Sequence, residues 1–174
     1  DVGNHQISGP FTISTWAYHH GENDIFFESL YGTANAEIVL APRIKSDSMM
    51  ARLHVGGSTS HIDTPNHKIP LGKWYHLVAT WDGTSAKIYI DNQSQILTTT
   101  GALHNPNPAN ANIGKNNGGG AFPEYVWGYI DDMRIYDRAL SAAEVAQLNA
   151  LEAPPVITAQ PQDANIATGA NVTL

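Results

Sequence analysis

A chain of 174 residues can build one sizeable core, or one domain of about 150 residues followed by a fragment. With 42% hydrophobic and only 14% charged residues the composition excludes disorder, and 15 Gly and 10 Pro announce many turns. A net charge of −7 with nine thinly spread Lys and Arg leaves no basic stripe for a nucleic-acid backbone, and the lack of cysteine excludes disulfides, thiolate metal sites and cysteine nucleophiles. No run approaches the roughly 18 apolar residues of a membrane-spanning helix, so membrane insertion is not expected. The acidity reads as a soluble extracellular surface, with carboxylates gathered around a cation as the alternative. The opening Asp1-Val2-Gly3 has neither methionine nor a signal-like segment and reads as a cut from something longer.

Along the chain, apolar residues recur at period two. The first run, FTISTWAY (11–18), sets Phe11, Ile13, Thr15 and Ala17 against Thr12, Ser14, Trp16 and Tyr18. Further β-type runs are DIFFESLY (24–31), EIVLAPR (37–43), MMARLHV (49–55), WYHLVATW (74–81), SAKIYI (85–90), QILTTT (95–100), NANIG (110–114) and VWGYIDDMRIY (126–136). Nine short strands with no helix interleaved exclude a βαβ layout and predict an all-β, two-sheet antiparallel jelly-roll sandwich.

Asp82-Gly83 joins two of these runs as a hairpin turn, and the chain turns again at Asp91-Asn92. Both faces of 74–81 are apolar, so this strand is expected between layers, with Trp74 and Trp81 as core side chains that hold them together; a ligand platform is the alternative. A single short helix is signalled near the end. Ser141 and Glu144 form a capping box, Leu140 can staple onto Val145, and Val145, Leu148 and Leu151 make an apolar stripe that Pro154-Pro155 terminates.

Four motifs in register, WYHLVATWDG (74–83), IYID (88–91), ANIG (111–114) and GYIDDMRIYDRALSAAEV (128–145), resemble the laminin G-like, concanavalin A-like lectin/glucanase jelly roll of the laminin G type 3 group over residues 1–152. The resemblance implies a secreted, mostly non-catalytic module that binds glycans or protein partners, often with calcium, and whose N-terminal strand is missing here. Residues 153–174, a Pro-Pro linker and VITAQPQDANIATGANVTL, resemble the first strands of a truncated bacterial immunoglobulin-like repeat. The loop at Lys115-Asn116-Asn117-Gly118 lacks the carboxylates of the pentraxin branch, so a pentraxin-type double calcium site is not expected.

Catalysis finds no support in the spacing. The glucanases of this fold carry an E-x-D-x-x-E strand, which is absent, and the adjacent carboxylates of Asp131-Asp132 would point to opposite faces of a regular strand. Neither a nucleophile elbow nor an HExxH motif is present. Regular alternation would place Asp131 on one face with Met133 and Ile135, towards the core, where a carboxylate needs a partner. Arg134 or another buried donor can supply it, and so can calcium, with Asp131 and Asp1 as its side-chain ligands.

For sugar contact the loop-rich segment 101–128 is the richest source, with aromatic faces to stack on a sugar ring and amides and carboxylates to meet hydroxyls. His104, Asn105, Asn116, Asn117, Glu124, Tyr125 and Trp127 are the candidate ligand-binding residues, although Asn, Gly and Pro also serve any long turn. The leading expectation is a non-catalytic carbohydrate-binding, lectin-like module of a larger secreted or cell-surface bacterial protein, with a polysaccharide or glycan as partner. An adhesion or spacer domain that binds a cell-surface protein is the second reading, and a glycoside-active enzyme the third.

Overall fold

The computed structural model describes residues 4–5, 7, 9–20, 30–33, 38–45, 48–56, 61–64, 69, 72–96, 109–115 and 125–151. Two antiparallel sheets face each other. The six-stranded sheet runs in the order β1 (Asn4–His5), β10 (Ala109–Ile113), β3 (Tyr31–Thr33), β4 (Ile38–Lys45), β5 (Ser48–Val55) and β6 (His61–Asp63). The five-stranded sheet runs in the order β11 (Gly128–Tyr136), β2 (Phe11–His19), β7 (Trp74–Trp81), β8 (Ala86–Ile90) and β9 (Gln93–Ile96). A single described helix, α1 (Ala142–Leu151), follows β11. The expected two-layer, all-β sandwich with a short late helix is what forms.

The core lies between the sheets and is built as period-two alternation requires. Phe11, Ile13 and Ala17 of β2, Tyr75, Leu77, Ala79 and Trp81 of β7, and Ile88 and Ile90 of β8 meet Tyr31, Ile38, Leu40, Ala51, Leu53, Val55, Ile62 and Ala111 of the other sheet. Trp81 tilts against Phe11 with ring centroids 5.8 Å apart.

Turn chemistry acts as the residues foretell. The Asp82 carboxylate accepts the Thr84 and Ser85 amides at 2.8 and 2.6 Å, and these bonds hold its pKa below the ordinary value. Gly83 supplies φ 101°, and Asp91 and Asn92 both adopt positive φ to turn β8 into β9. At the helix start Ser141 Oγ accepts the Glu144 amide at 3.3 Å, while Glu144 Oε2 accepts the Ser141 amide at 2.9 Å. Arg138 adds a 2.6 Å bond to the other Glu144 oxygen, and the Glu144 carboxyl sits at about pKa 2 through these bonds, the one from Arg138 first.

Both faces of β7 are indeed covered from Tyr75 onward, but its first residue is not. Trp74 is 45% exposed against 3% for Trp81, so the expectation of two core tryptophans holds for Trp81 alone. Strands β1 and β6, of two and three residues, are too short for periodicity to announce. Most of the run 24–31, the run 97–100, the linker and the immunoglobulin-like run lie outside the described residues.

Candidate functional site

The outward face of the five-stranded sheet divides into two ends. At one end α1 lies over it. Leu140 and Val145 pack with Val78 of β7 and Tyr89 of β8, flanked by Tyr136 and Leu148. Thr12 pins the approach to the helix, its hydroxyl donating to the Arg138 carbonyl at 2.8 Å and accepting the Leu140 amide at 2.9 Å.

Among the described residues no helix covers the other end. Strand register there aligns Tyr129 of β11, Tyr18 of β2 and Trp74 of β7 in one row across the sheet. The Tyr18 ring lies 5.8 Å from both Trp74 and Tyr129, which are themselves 6.3 Å apart. His20 closes the group, edge-on to Tyr18 at 5.2 Å and to Tyr129 at 5.0 Å. This is a contiguous aromatic patch of four rings on a solvent-facing surface, where such groups are rare unless they meet something.

The next row inward is Asp131, Trp16 and His76. Trp16 and His76 stack at 5.1 Å, and His76 Nε2 shares a 2.8 Å hydrogen bond with Ser14 Oγ. The His76 amide donates to Asp91 Oδ1 at 2.9 Å. Burial outweighs the attraction of Asp91 and Asp132 and pushes the His76 pKa down to about 4, so its ring is neutral at physiological pH. It serves as a packed support for the aromatic rows.

Tyr125 and Trp127 precede β11 in the chain and are both exposed. Beyond the end of β11, the His20 amide donates to the Trp127 carbonyl at 3.1 Å and the Val126 amide to the Gly114 carbonyl at 2.9 Å, while Tyr125 bridges to Lys115. These bonds tie Tyr125 and Val126 to the residues that follow β10 and Trp127 to the end of β2, and the chain bends at Trp127 before β11 begins. Val126 and Ile130 pack against the core, and the alternate residues Tyr125, Trp127 and Tyr129 are 59, 65 and 56% exposed. Lys115 Nζ lies 5.8 Å from the Tyr125 ring centroid. Gly128 sits inside this run because β2 comes so close that a Cβ would strike the Tyr18 carbonyl.

Asp131 is placed differently from its expectation. The register passes from Asp131↔Trp16 directly to Arg134↔Ser14, so β11 carries one residue more than β2. That is a β-bulge, with Asp132 at φ 46°. It shifts the phase of the strand: Ile130, Met133 and Ile135 share the core side, and Asp131 is exposed, its Oδ1 accepting the Asp132 amide at 2.8 Å. Arg134 is partnered with Asp132, through 2.8 and 2.7 Å contacts, and not with Asp131. Among the described residues no group of three or more His, Asp or Glu side chains could hold a metal, and Asp1 lies outside them.

Of the candidate ligand residues, Tyr125 and Trp127 are among the described residues and both are exposed. His104, Asn105, Asn116, Asn117 and Glu124 lie outside the described residues. The sequence offers Trp74 only as an alternative ligand platform and does not single out Tyr18, His20 or Tyr129 as a ligand site. The signal was present: Trp16, Tyr18 and Trp74 all fall on the outward phase of two adjacent strands.

Comparison with known proteins places this geometry in context. Residues 1–146 match the family model described as the concanavalin A-like lectin/glucanases superfamily. No curated protein sequence matches the chain. Among solved structures, a pentraxin from Limulus polyphemus superposes with a TM-score of 0.66 at 20% identity, covering 86% of this chain and 75% of that one. Domain 4 of the extracellular arabinanase AbnA from Geobacillus stearothermophilus, determined with arabinotriose, gives 0.60 at 24% identity over 85% of this chain and 68% of that one. A proposed carbohydrate-binding protein from Bacteroides ovatus gives 0.62 at 16% identity; the match takes in 80% of this chain but only 40% of that protein. At these identities the likeness is one of fold.

Proposed function

The chain belongs to the concanavalin A-like lectin/glucanases superfamily, and on that premise we propose that it is a non-catalytic carbohydrate-binding module of a larger secreted or surface bacterial protein. The observation that carries the reading is the exposed aromatic patch at the end of the sheet left free by α1, formed by Tyr18, His20, Trp74 and Tyr129, with the exposed Trp127 and Tyr125 preceding β11 in the chain. Aromatic faces match the apolar faces of sugar rings, and their rigid side chains lose little conformational freedom on contact. The structural neighbours with arabinotriose or a proposed carbohydrate-binding role favour the same class of ligand. A non-catalytic role is supported by the commitment of Asp132 to Arg134, which removes the neighbour that could act together with Asp131.

Calcium enters the proposal as a stabilising ion with Asp131 and Asp1 as its side-chain ligands, Asp1 lying outside the described residues. Its readout is a calcium-dependent rise in melting temperature that Asp131→Asn removes.

Affinity electrophoresis through gels containing a panel of plant and bacterial polysaccharides tests the reading. The expected result is retardation by at least one polymer, lost in Trp74→Ala and Trp127→Ala variants whose far-ultraviolet spectra are unchanged. Unretarded migration in every gel would overturn it.

A further inference from the structure

The six-stranded sheet carries a pair of histidines that the aromatic patch, on the other sheet, does not use. Leu53 of β5 and Ile62 of β6 pair across the strands and enter the core, so by alternation the residues beside them face away from it. Two outward pairs result: Arg52 opposite Asp63, and His54 opposite His61. His54 is buried, with Val39 of β4 paired on its other side, whereas His61 is exposed on β6, which ends the described strand order.

The backbone spacing of this pair is fixed by its neighbours. One row along the same face, Arg52 grips both carboxylate oxygens of Asp63. Beyond that row the Thr64 amide donates to the Ala51 carbonyl at 2.9 Å, and the Ala51 amide donates to Thr64 Oγ1 at 2.9 Å. Together these contacts hold β6 against β5.

The ring centroids of His54 and His61 are 5.2 Å apart, with their planes 37° from parallel. Two imidazoles on one tetrahedral ion, with metal–nitrogen bonds of about 2.0 Å, have their centroids about 5 Å apart. Ring rotation can therefore turn one nitrogen of each towards a shared ion without moving either strand. The second nitrogen of each ring keeps its protein or solvent neighbours, the usual division in metal-bound histidine. Imidazole suits zinc, copper or nickel, whereas calcium takes oxygen ligands. A net charge of −7 draws cations to the chain.

We infer that His54 and His61 clip a divalent transition-metal ion between β5 and β6, with water in its remaining coordination positions. The ion ties the outer strand to its neighbour and stabilises the folded chain.

Calorimetric titration of the untagged chain with zinc and nickel chloride tests the site. One ion per chain is expected, bound about tenfold or more weakly in His61→Gln and in His54→Gln. His61 is exposed, so its variant separates loss of a ligand from loss of the fold: without metal it should melt as the parent does. Zinc should raise the melting temperature of the parent and leave that of His61→Gln unchanged. Substoichiometric copper should broaden the ring resonances of His54 and His61 ahead of those of the other histidines, eight being present in all. No heat with either ion up to about 1 mM, binding undiminished in His61→Gln, or broadening spread evenly over all eight rings would overturn the inference.

Discussion

The two ends of the outward face of the five-stranded sheet use the same strands for opposite purposes. Where α1 lies across the sheet, Val78, Tyr89, Leu140 and Val145 are buried in a small second core. Where it does not, Tyr18, His20, Trp74 and Tyr129 gather in a patch that water reaches. Residue type does not separate the ends, since both are aromatic and apolar. What separates them is whether another element lies on top, and one ten-residue helix decides it.

The sharpest way to break this comparison is to truncate the two tryptophans of β7 in turn. Trp81→Ala should cost about 3–5 kcal/mol in urea unfolding, as a core deletion does. Trp74→Ala should cost about 1 kcal/mol or less while abolishing polysaccharide retention, because its ring is largely outside the core. Equal destabilisation by both would make the patch part of the core.

The row between the ends is read by pH. His76 binds its proton at about pH 4 when folded and near 6.5 when unfolded, because burial disfavours the charged ring. The unfolded chain therefore protonates first as pH falls, and stability is complete above about pH 6.5. Unfolding midpoints measured between pH 7 and pH 4 should lose about 3 kcal/mol from this group across that window, levelling off below it. His76→Gln should flatten that part of the profile.

Smaller effects sharpen each end separately. Gly128→Ala places a Cβ against the Tyr18 carbonyl and should cost about 1–3 kcal/mol while parting β11 from β2 at the aromatic row. Ser141→Ala removes the cap of the covering helix and should cost about 1 kcal/mol in thermal unfolding, with sugar retention unchanged.

Much of the fold was legible because period-two alternation and turn chemistry are local. The 74–81 run forms a strand with the expected bounds, Asp82-Gly83 and Asp91-Asn92 turn where expected, and the Ser141/Glu144 box starts the helix. The face presented by Asp131 was not legible. A bulge adds one residue without changing composition, so every parity argument across it inverts, and no residue type in IDDMRI marks the place. Trp74 was misplaced for a different reason: hydrophobicity says that a side chain prefers cover, while only the third dimension says whether cover is available. Loop composition singles out Tyr125 and Trp127, which the structure shows to be exposed, whereas the row of Tyr129, Tyr18 and Trp74 required knowing that β2, β7 and β11 are neighbours.

The bulge has a consequence for solubility. A sheet that ends in a straight strand offers a ladder of unused amides and carbonyls, onto which a second molecule can zip. In β11 the extra residue and the positive φ of Asp132 break the spacing of that ladder midway, and the bidentate Asp132–Arg134 pair plants two opposite charges at the break. The distortion that turns Asp131 outward thereby also guards the margin of the sandwich against self-association, leaving its rings free for a different guest.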